Sequence, residues 1–400
     1  MPNPLENKHV ALGVTGSIAC YKAVNLASKL VQAGALVDVV LTPPATHFVS
    51  ALTFRAITHR PVVTDLWDPQ SELSMDHVAM AQRADIVVIA PATADIIAKL
   101  SWGLAGDALT ATVLATTAPV LVAPAMDAHM WDNAATQENA ARLKARGVAF
   151  AGPIAGHLAS GLSGMGRMAE PSVLLGHIKA VLGRKGDLAG RKVVVSAGGT
   201  QEDIDPVRFI SNRSSGKMGY AIAEAARDRG ASVVLVAAPT ALPDPAGVAV
   251  VHVRSAQEML DAVVKHARDA DALAMAAAVA DWRPASAAAQ KVKKRPGQDT
   301  LNLELAKTQD ILASVKSKRL VKVGFAAESE DLEKNARAKL AGKGLDLVVA
   351  NDITSKDSGF GSDDNRVVII GRDGKAVRHG LMSKYEVGHR VIDRIAALLK

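Results

Sequence analysis

The sequence predicts an α/β protein of two successive domains, each built on a doubly wound parallel sheet, and three observations carry that prediction. The chain has 400 residues, more than one ordinary core organises. Short β-branched apolar runs, as at 86–90 and 120–123, alternate with segments of helical period, the pattern of parallel strands covered on both faces. The strand, glycine turn and helix that open the chain start again after a charged, glycine-containing break, RKGDLAGR at 184–191.

Each element follows in order. In the first domain, 1–183, a strand at 9–14 runs into a turn containing Gly13, Gly16 and Ser17. A helix to about Ala33 follows, Gly34 stops it, and a second strand covers 35–41. Strands at 86–90 and 120–123 are separated by helices at 95–100 and 107–116, and a further helix follows at 134–146. After the linker the second domain, 192–400, opens with a strand at 192–197 and a Gly198-Gly199-Thr200 turn. A helix at 217–229 and a strand at 232–238 come next, then strands at 272–277, 321–325, 346–350 and 366–370 and a closing amphipathic helix at 383–399. The stretch 283–300, rich in Ala, Lys, Pro and Gly, reads as a mobile loop. Both domains are therefore Rossmann-like.

Composition narrows the function classes. No apolar run has membrane-spanning length, and the N-terminus MPNPLENKHV lacks the layout of a signal peptide, so a cytoplasmic protein without membrane partners is expected. With Cys20 as the one cysteine, an intramolecular disulfide and a cysteine-rich zinc site are both excluded. The net charge of +7 favours anionic ligands, while 3% aromatics leave few platforms for single-stranded nucleic acid. Small phosphorylated metabolites are expected ahead of nucleic acid.

Neither opening turn has the full G-x-G-x-x-G, and the second strand ends Leu41-Thr42-Pro43-Pro44 without the acid that would hold a dinucleotide ribose. This disfavours NAD. A phosphate monoester held by Gly16, Ser17, Thr42 and a helix N-terminus is left open.

Three ordered motifs then carry a resemblance. APATADIIAK at 90–99 with GLAGD at 103–107, PAMD at 124–127 with Met130-Trp131, and Asp76-His77-Val78 resemble the signatures of the cysteine decarboxylase flavoproteins. The resemblance implies a flavodoxin-like domain that binds FMN through Gly16, Ser17, Thr42, Pro91, Ala92, Thr93 and Asp95. It implies oxidation of the thiol-bearing carbon, loss of carbon dioxide and return of the hydride, with His77 as general base and Met126 and Asp127 at the substrate. The chain departs from that family twice: Asp127 stands where an asparagine is usual, and Ser160 where a cysteine supplies the last proton. An ionised Asp127 would repel a substrate carboxylate unless protonated or turned away, and a serine hydroxyl is a far weaker acid than a thiol.

In the second half, KVVVSAGGTQEDIDPVRFISNRSSGKMG at 192–219 is similar to the opening of the phosphopantothenate–cysteine ligases. AAAVAD at 276–281, KVKK at 291–294, VGFAAE at 323–328 and AND at 350–352 follow in order. The resemblance implies attack of the phosphopantothenate carboxylate on the α-phosphate of CTP with Mg2+, then displacement of CMP by cysteine. Asn212 and Lys291 would carry the reaction, Asn212 contacting the acyl-cytidylate and Lys291 closing over the triphosphate. Ala276, Ala277, Asp281, Gln309, Asp310, Ile311, Leu312, Phe325, Lys339 and Lys343 fall at nucleotide-contacting positions, Gln309 replacing a usual proline. The sequence assigns no metal ligands. The two halves together resemble the bifunctional coenzyme A biosynthesis enzymes, which implies a homo-oligomer. Ser160 and Asp127 motivate one alternative, an active ligase fused to a flavin domain that stops at an oxidised aminoenethiol. A flavoprotein acting as a binding or regulatory module is another.

Overall fold

The structure, a computed structural model, describes residues 3–66, 76–293, 300–317, 319–328, 330–352 and 361–400. The chain divides into two compact units, 3–183 and 184–400.

The first unit contains β1 (His9–Val14), α1 (Cys20–Gln32), β2 (Leu36–Leu41), α2 (Ala51–Thr58), β3 (Val62–Val63), α3 (Asp76–Arg83) and β4 (Ile86–Ala92). It continues through α4 (Ala94–Trp102), α5 (Ala108–Ala115), β5 (Val120–Pro124), α6 (Ala128–Asp132) and α7 (Ala134–Ala145). It ends with β6 (Ala149–Phe150), β7 (Ile154–His157), β8 (Ser163–Arg167) and α8 (Pro171–Gly183). Six strands form a parallel sheet in the order β3-β2-β1-β4-β5-β6. All seven residues of β4 are buried, as a strand sandwiched between helices requires. Alternate strand residues face opposite cores. Val10, Leu12 and Val14 meet Leu26, Leu30, Leu174 and Ile178, while Val87 and Ile89 meet Ile96, Ile97 and Leu109. The buried side of α1 recurs at Cys20, Ala23, Leu26, Ala27 and Leu30, the helical period that made it legible. β7 and β8 form a separate antiparallel hairpin.

The second unit contains β9 (Lys192–Ala197), β10 (Gln201–Asp203), β11 (Phe209–Ser211), α9 (Lys217–Arg227), β12 (Ser232–Ala237), β13 (Ala249–His252) and α10 (Ala256–Ala267). Next are β14 (Ala272–Met275), β15 (Trp282–Pro284), β16 (Leu305–Lys307), α11 (Ile311–Ser314), β17 (Val321–Glu328) and α12 (Leu332–Gly342). β18 (Leu347–Asp352), β19 (Asp364–Gly371), β20 (Ala376–Ser383) and α13 (Lys384–Leu398) close it. Its sheet runs β13-β12-β9-β14-β17-β18-β19-β20. Strands are parallel as far as β18, and β19 and β20 add antiparallel. The sheet is thus mixed, where the sequence pattern alone suggested a parallel one.

Two segments differ from the sequence reading. The 184–191 stretch is docked on the second unit: Leu188 is buried, its amide donates to Arg229 O at 3.0 Å, and Asp187 pairs with Arg229. One apolar side chain and one acid suffice to anchor it. The supposed loop from Arg283 begins in a ladder, with Arg283 opposite Ala306 and Pro284 opposite Leu305. Val292 is fixed too, its amide donating to Asp205 Oδ2 at 3.1 Å and its carbonyl accepting from Arg208 at 2.9 Å. Lys294 and Arg295 lie outside the described residues.

Candidate active sites

Open α/β sheets bind ligands at the carboxyl ends of their strands, near the point where strand order reverses. In the first unit that point lies between β1 and β4. The buried Thr15 hydroxyl joins the two loops there, donating to Pro91 O at 2.7 Å and accepting from the Thr93 amide at 3.1 Å. Thr93 also caps α4, accepting from Ile96 N. Gly16 lies against Pro44, and Ser17 Oγ accepts from Ala19 N at 3.3 Å. Ala19 gives α1 no side-chain cap, and of its opening amides Cys20 N donates to Ser17 O at 3.0 Å and Lys22 N to Ala19 O at 2.9 Å. Thr42 is buried, its amide bonded to Val14 O at 3.0 Å, and it borders a small cavity of about 80 Å³ with Leu66, Gly106 and Asp107.

Two expected flavin residues are arranged differently from the rest. Asp95 is largely exposed and pairs with Lys99 at 2.9 Å, one turn along α4. Ala92 is fully buried at the end of β4, its carbonyl accepting from Ala125 N at 2.9 Å. His77 is half-buried in the first turn of α3, which packs on α5; the residues 67–75 before it lie outside the described set.

Asp127 and Ser160, 33 positions apart, are brought together. The Ser160 hydroxyl, in the turn of the β7–β8 hairpin, donates to Asp127 Oδ2 at 2.6 Å. Asp127 is also the N-cap of α6, accepting from His129 N at 3.0 Å, and lies 3.7 Å from His129 Nδ1. The Ser160 hydroxyl, then the His129 amide, hold its carboxyl below the usual carboxylate range. The hairpin is seated by the Met126 amide, which donates to Gly166 O at 3.0 Å; a β-carbon at Gly166 would stand 2.3 Å from Met126 O, so only glycine fits. Its far end is tied down through Arg167 to Glu170 and from Glu170 to the buried Lys22, both at 2.8–2.9 Å. Cys20 is buried, its thiol donating to Thr15 O, and burial raises its pKa.

In the second unit the carboxyl ends of β14, β17 and β18, with the start of α9, surround a cavity of about 640 Å³. Asn212, Ala276, Ala277, Asp281, Gln309, Asp310, Ile311, Leu312, Phe325, Lys339 and Lys343 all line it. Lys291 is not among its lining residues.

The backbone around the cavity is fixed by buried hydroxyls. Ser196 accepts from Ala277 N at 3.1 Å, Thr200 accepts from Ala280 N at 2.9 Å, and Thr308 donates to Ala280 O at 2.6 Å. Asn212 donates to Val279 O at 3.0 Å. α9 points its N-terminus inward through Gly216, a left-handed N-cap with no side-chain bond, so its first amides face the cavity. A β-carbon at Gly219 would lie 2.6 Å from Ser196 O, and its absence lets that turn press onto β9.

Five lysines and two aspartates line the cavity, which makes it a receptor for anions. Burial opposes the charge on Asp310, but the Ala313 amide and Lys343 at 3.1 Å outweigh it and lower its pKa. Lys339 donates to Phe325 O. Lys217, Lys307 and Lys384, with Asn365, were not singled out from the sequence. Lys217 was legible within SSGK, whereas Lys384 opens α13 far along the chain. Lys217 donates to Asp363 Oδ1 at 2.7 Å and Gly361 O at 2.9 Å. Burial, then the neighbouring charge of Lys217, lowers the Lys384 pKa. Among the described residues no cluster of three or more acidic, histidine or cysteine side chains could hold a metal by itself.

A family model described as "Flavoprotein" matches residues 1–183, and one described as "DNA/pantothenate metabolism flavoprotein C-terminal domain" matches residues 188–399. Among curated proteins, the Coenzyme A biosynthesis bifunctional protein CoaBC of Bacillus subtilis is 46% identical over 400 residues, covering 99% of this chain and 98% of that protein. The protein of the same name from Escherichia coli is 42% identical over 395 residues, covering 98% and 97%. Among solved structures, the C-terminal domain of a CoaBC covers 52% of this chain and 96% of that chain, at 39% identity and a TM-score of 0.45. The FMN binding protein AtHal3 covers 44% and 96%, at 32% identity and a TM-score of 0.40.

Proposed function

The chain belongs to the family of bifunctional coenzyme A biosynthesis proteins, and from that premise we propose how its residues divide the two activities. It is a phosphopantothenate–cysteine ligase and a phosphopantothenoylcysteine decarboxylase in one polypeptide. Residues 192–400 perform ligation and residues 1–183 decarboxylation, with 184–191 joining them.

The single observation that carries the ligase reading is the lysine-lined cavity of about 640 Å³, which gathers eleven separately identified positions at one sheet edge. CTP is the nucleotide. Its phosphates lie toward the amides that open α9 and toward Lys217, Lys339 and Lys343, with Mg2+ brought in on the triphosphate rather than held by an acidic cage. Asn212 donates to the acyl-cytidylate, and Lys291 closes over the phosphates from the adjoining loop. Ala276, Ala277, Asp281 and residues 309–312 surround the nucleoside. Positive charge arranged before phosphate charge builds up is what lowers such a barrier. With CTP and phosphopantothenate but no cysteine, pyrophosphate release is expected. Faster release with ATP than with CTP would refute the nucleotide assignment.

The flavin is FMN. Support for its phosphate at the carboxyl edge of the first sheet comes from the Ser17 hydroxyl, the close glycine turn and an α1 without a side-chain cap, while the Thr42 hydroxyl donates to Val14 O at 3.4 Å. When bound, FMN supplies a reversible two-electron acceptor. Pro91, Ala92, Thr93 and Asp95 form the adjoining wall, His77 removes the first proton, and Met126 and Asp127 orient the substrate.

The enzyme works as a cytoplasmic homo-oligomer without nucleic-acid or membrane partners. Exposed Ile18, Tyr21, Phe48 and Trp102 on the first unit and Phe209, Trp282, Leu303 and Leu305 on the second support an assembly that buries them. Among the described residues no helix is long and apolar enough to cross a membrane. A mass from light scattering equal to one chain would refute the assembly.

A further inference from the structure

Net decarboxylation consumes one proton. The bond from the α-carbon to its carboxylate breaks, carbon dioxide leaves, the electron pair stays on carbon, and a C–H bond must form there. An acid has to stand within reach of that carbon. The one cysteine of this chain is committed elsewhere, buried at the start of α1 with its S–H on Thr15 O. At the carboxyl edge of β5, an oxygen acid and a hydroxyl are already joined at 2.6 Å.

We propose that Asp127 and Ser160 are the proton-delivering dyad: with substrate bound, Asp127 is protonated and passes its proton to Ser160 Oγ as Ser160 passes its own to the substrate carbon. Asp127 ends as a carboxylate, Ser160 ends as it began, and a proton from water resets the pair. No electrons are exchanged. The dyad rests on the reading of this edge as the decarboxylation site.

In the free chain Asp127 is ionised, because Ser160 and the His129 amide donate to it. Substrate reverses this. A group placed to protonate the α-carbon lies within about 4 Å of the carboxylate that carbon carries, and two carboxylates that close hold one proton between them. Binding therefore loads the acid that the reaction will need. Departure of carbon dioxide then removes the second carboxylate, so Asp127 becomes a stronger acid when its proton is required. The surroundings do not cancel this. His129 of α6 faces Asp127 at 3.7 Å and is itself largely exposed, Ser160 faces it from the hairpin, and Arg167 beyond is spent on Glu170.

The test is proton uptake, read independently of turnover. FMN-loaded full-length protein is titrated calorimetrically with the S-methyl thioether of phosphopantothenoylcysteine, in neutral buffers of different ionisation enthalpy. About one proton per site should be taken up by the wild type and by Ser160→Ala, and almost none by Asp127→Asn. With true substrate, both variants should form phosphopantetheine about a hundredfold more slowly or worse. Binding that shifts the flavin spectrum without proton uptake, or uptake that persists in Asp127→Asn, overturns the dyad. Wild-type rates in Ser160→Ala overturn the relay. Binding that leaves the flavin spectrum untouched removes instead the site reading beneath it. Flavin content and visible spectrum report whether each variant is folded.

Discussion

Asp38 shows how one residue can serve the fold without touching either site. It is buried on β2, and Arg60 and Arg83 reach it from two different segments at 2.7 and 3.0 Å. Asp38→Ala would leave both partly exposed guanidinium groups without their shared acceptor, at a cost of about 1–3 kcal/mol. A chemical-denaturation curve checks this, and a loss under 1 kcal/mol would contradict it. Glu170 gives a pH signature. The bond from Lys22 is the main reason its pKa is lowered, against a smaller cost of burial. A carboxyl lowered on folding contributes stability above its unfolded pKa of about 4.3, and loses it as pH falls through the folded value. The stability difference between wild type and Lys22→Met should therefore shrink below about pH 4. Thermal melts across pH 3–7 show this directly, and a constant difference would refute the pairing.

Among elements, those of regular period were legible and the small ladders were not. β1 was bounded correctly because its run is continuous, and α1 because its apolar positions recur at three and four. The β7–β8 hairpin escaped because its strands carry three glycines and little alternation. β15 and β16 escaped because each has three residues and they pair across a long insertion. β19 reads like any other apolar run until its antiparallel partners are seen, and β20 escaped because its residues are polar and apolar in no regular order and half of them are exposed. α9 offers an element-level prediction. Gly219→Ala would force its first turn off β9, costing about 1–3 kcal/mol of stability and raising the KM for CTP. Decarboxylation of added phosphopantothenoylcysteine should be unaffected, and a parallel loss of both activities would contradict the assignment of α9 to the ligase.

Over the whole molecule, the ligase site was legible as motifs because its residues keep their spacing within short runs. Yet the motifs could not show why five lysines matter together, since Lys217 and Lys384 meet only when the sheet closes. The first-unit site was legible as a family likeness and as two departures from it. That the departures are hydrogen-bonded partners required the fold. Lys291→Gln tests the division between the units: ligation should fall at least about a hundredfold while the yellow flavin stays bound and decarboxylation proceeds. Unchanged ligation would detach the 291–293 segment from the reaction.

We expect this one chain to complete both reactions although serine and aspartate stand where the family resemblance puts cysteine and asparagine. The most direct measurement supplies FMN-loaded protein with phosphopantothenoylcysteine in the absence of oxygen and identifies the product by mass spectrometry. Phosphopantetheine is the predicted product. The unsaturated aminoenethiol, two hydrogens lighter, would contradict the account and leave only the ligase half standing.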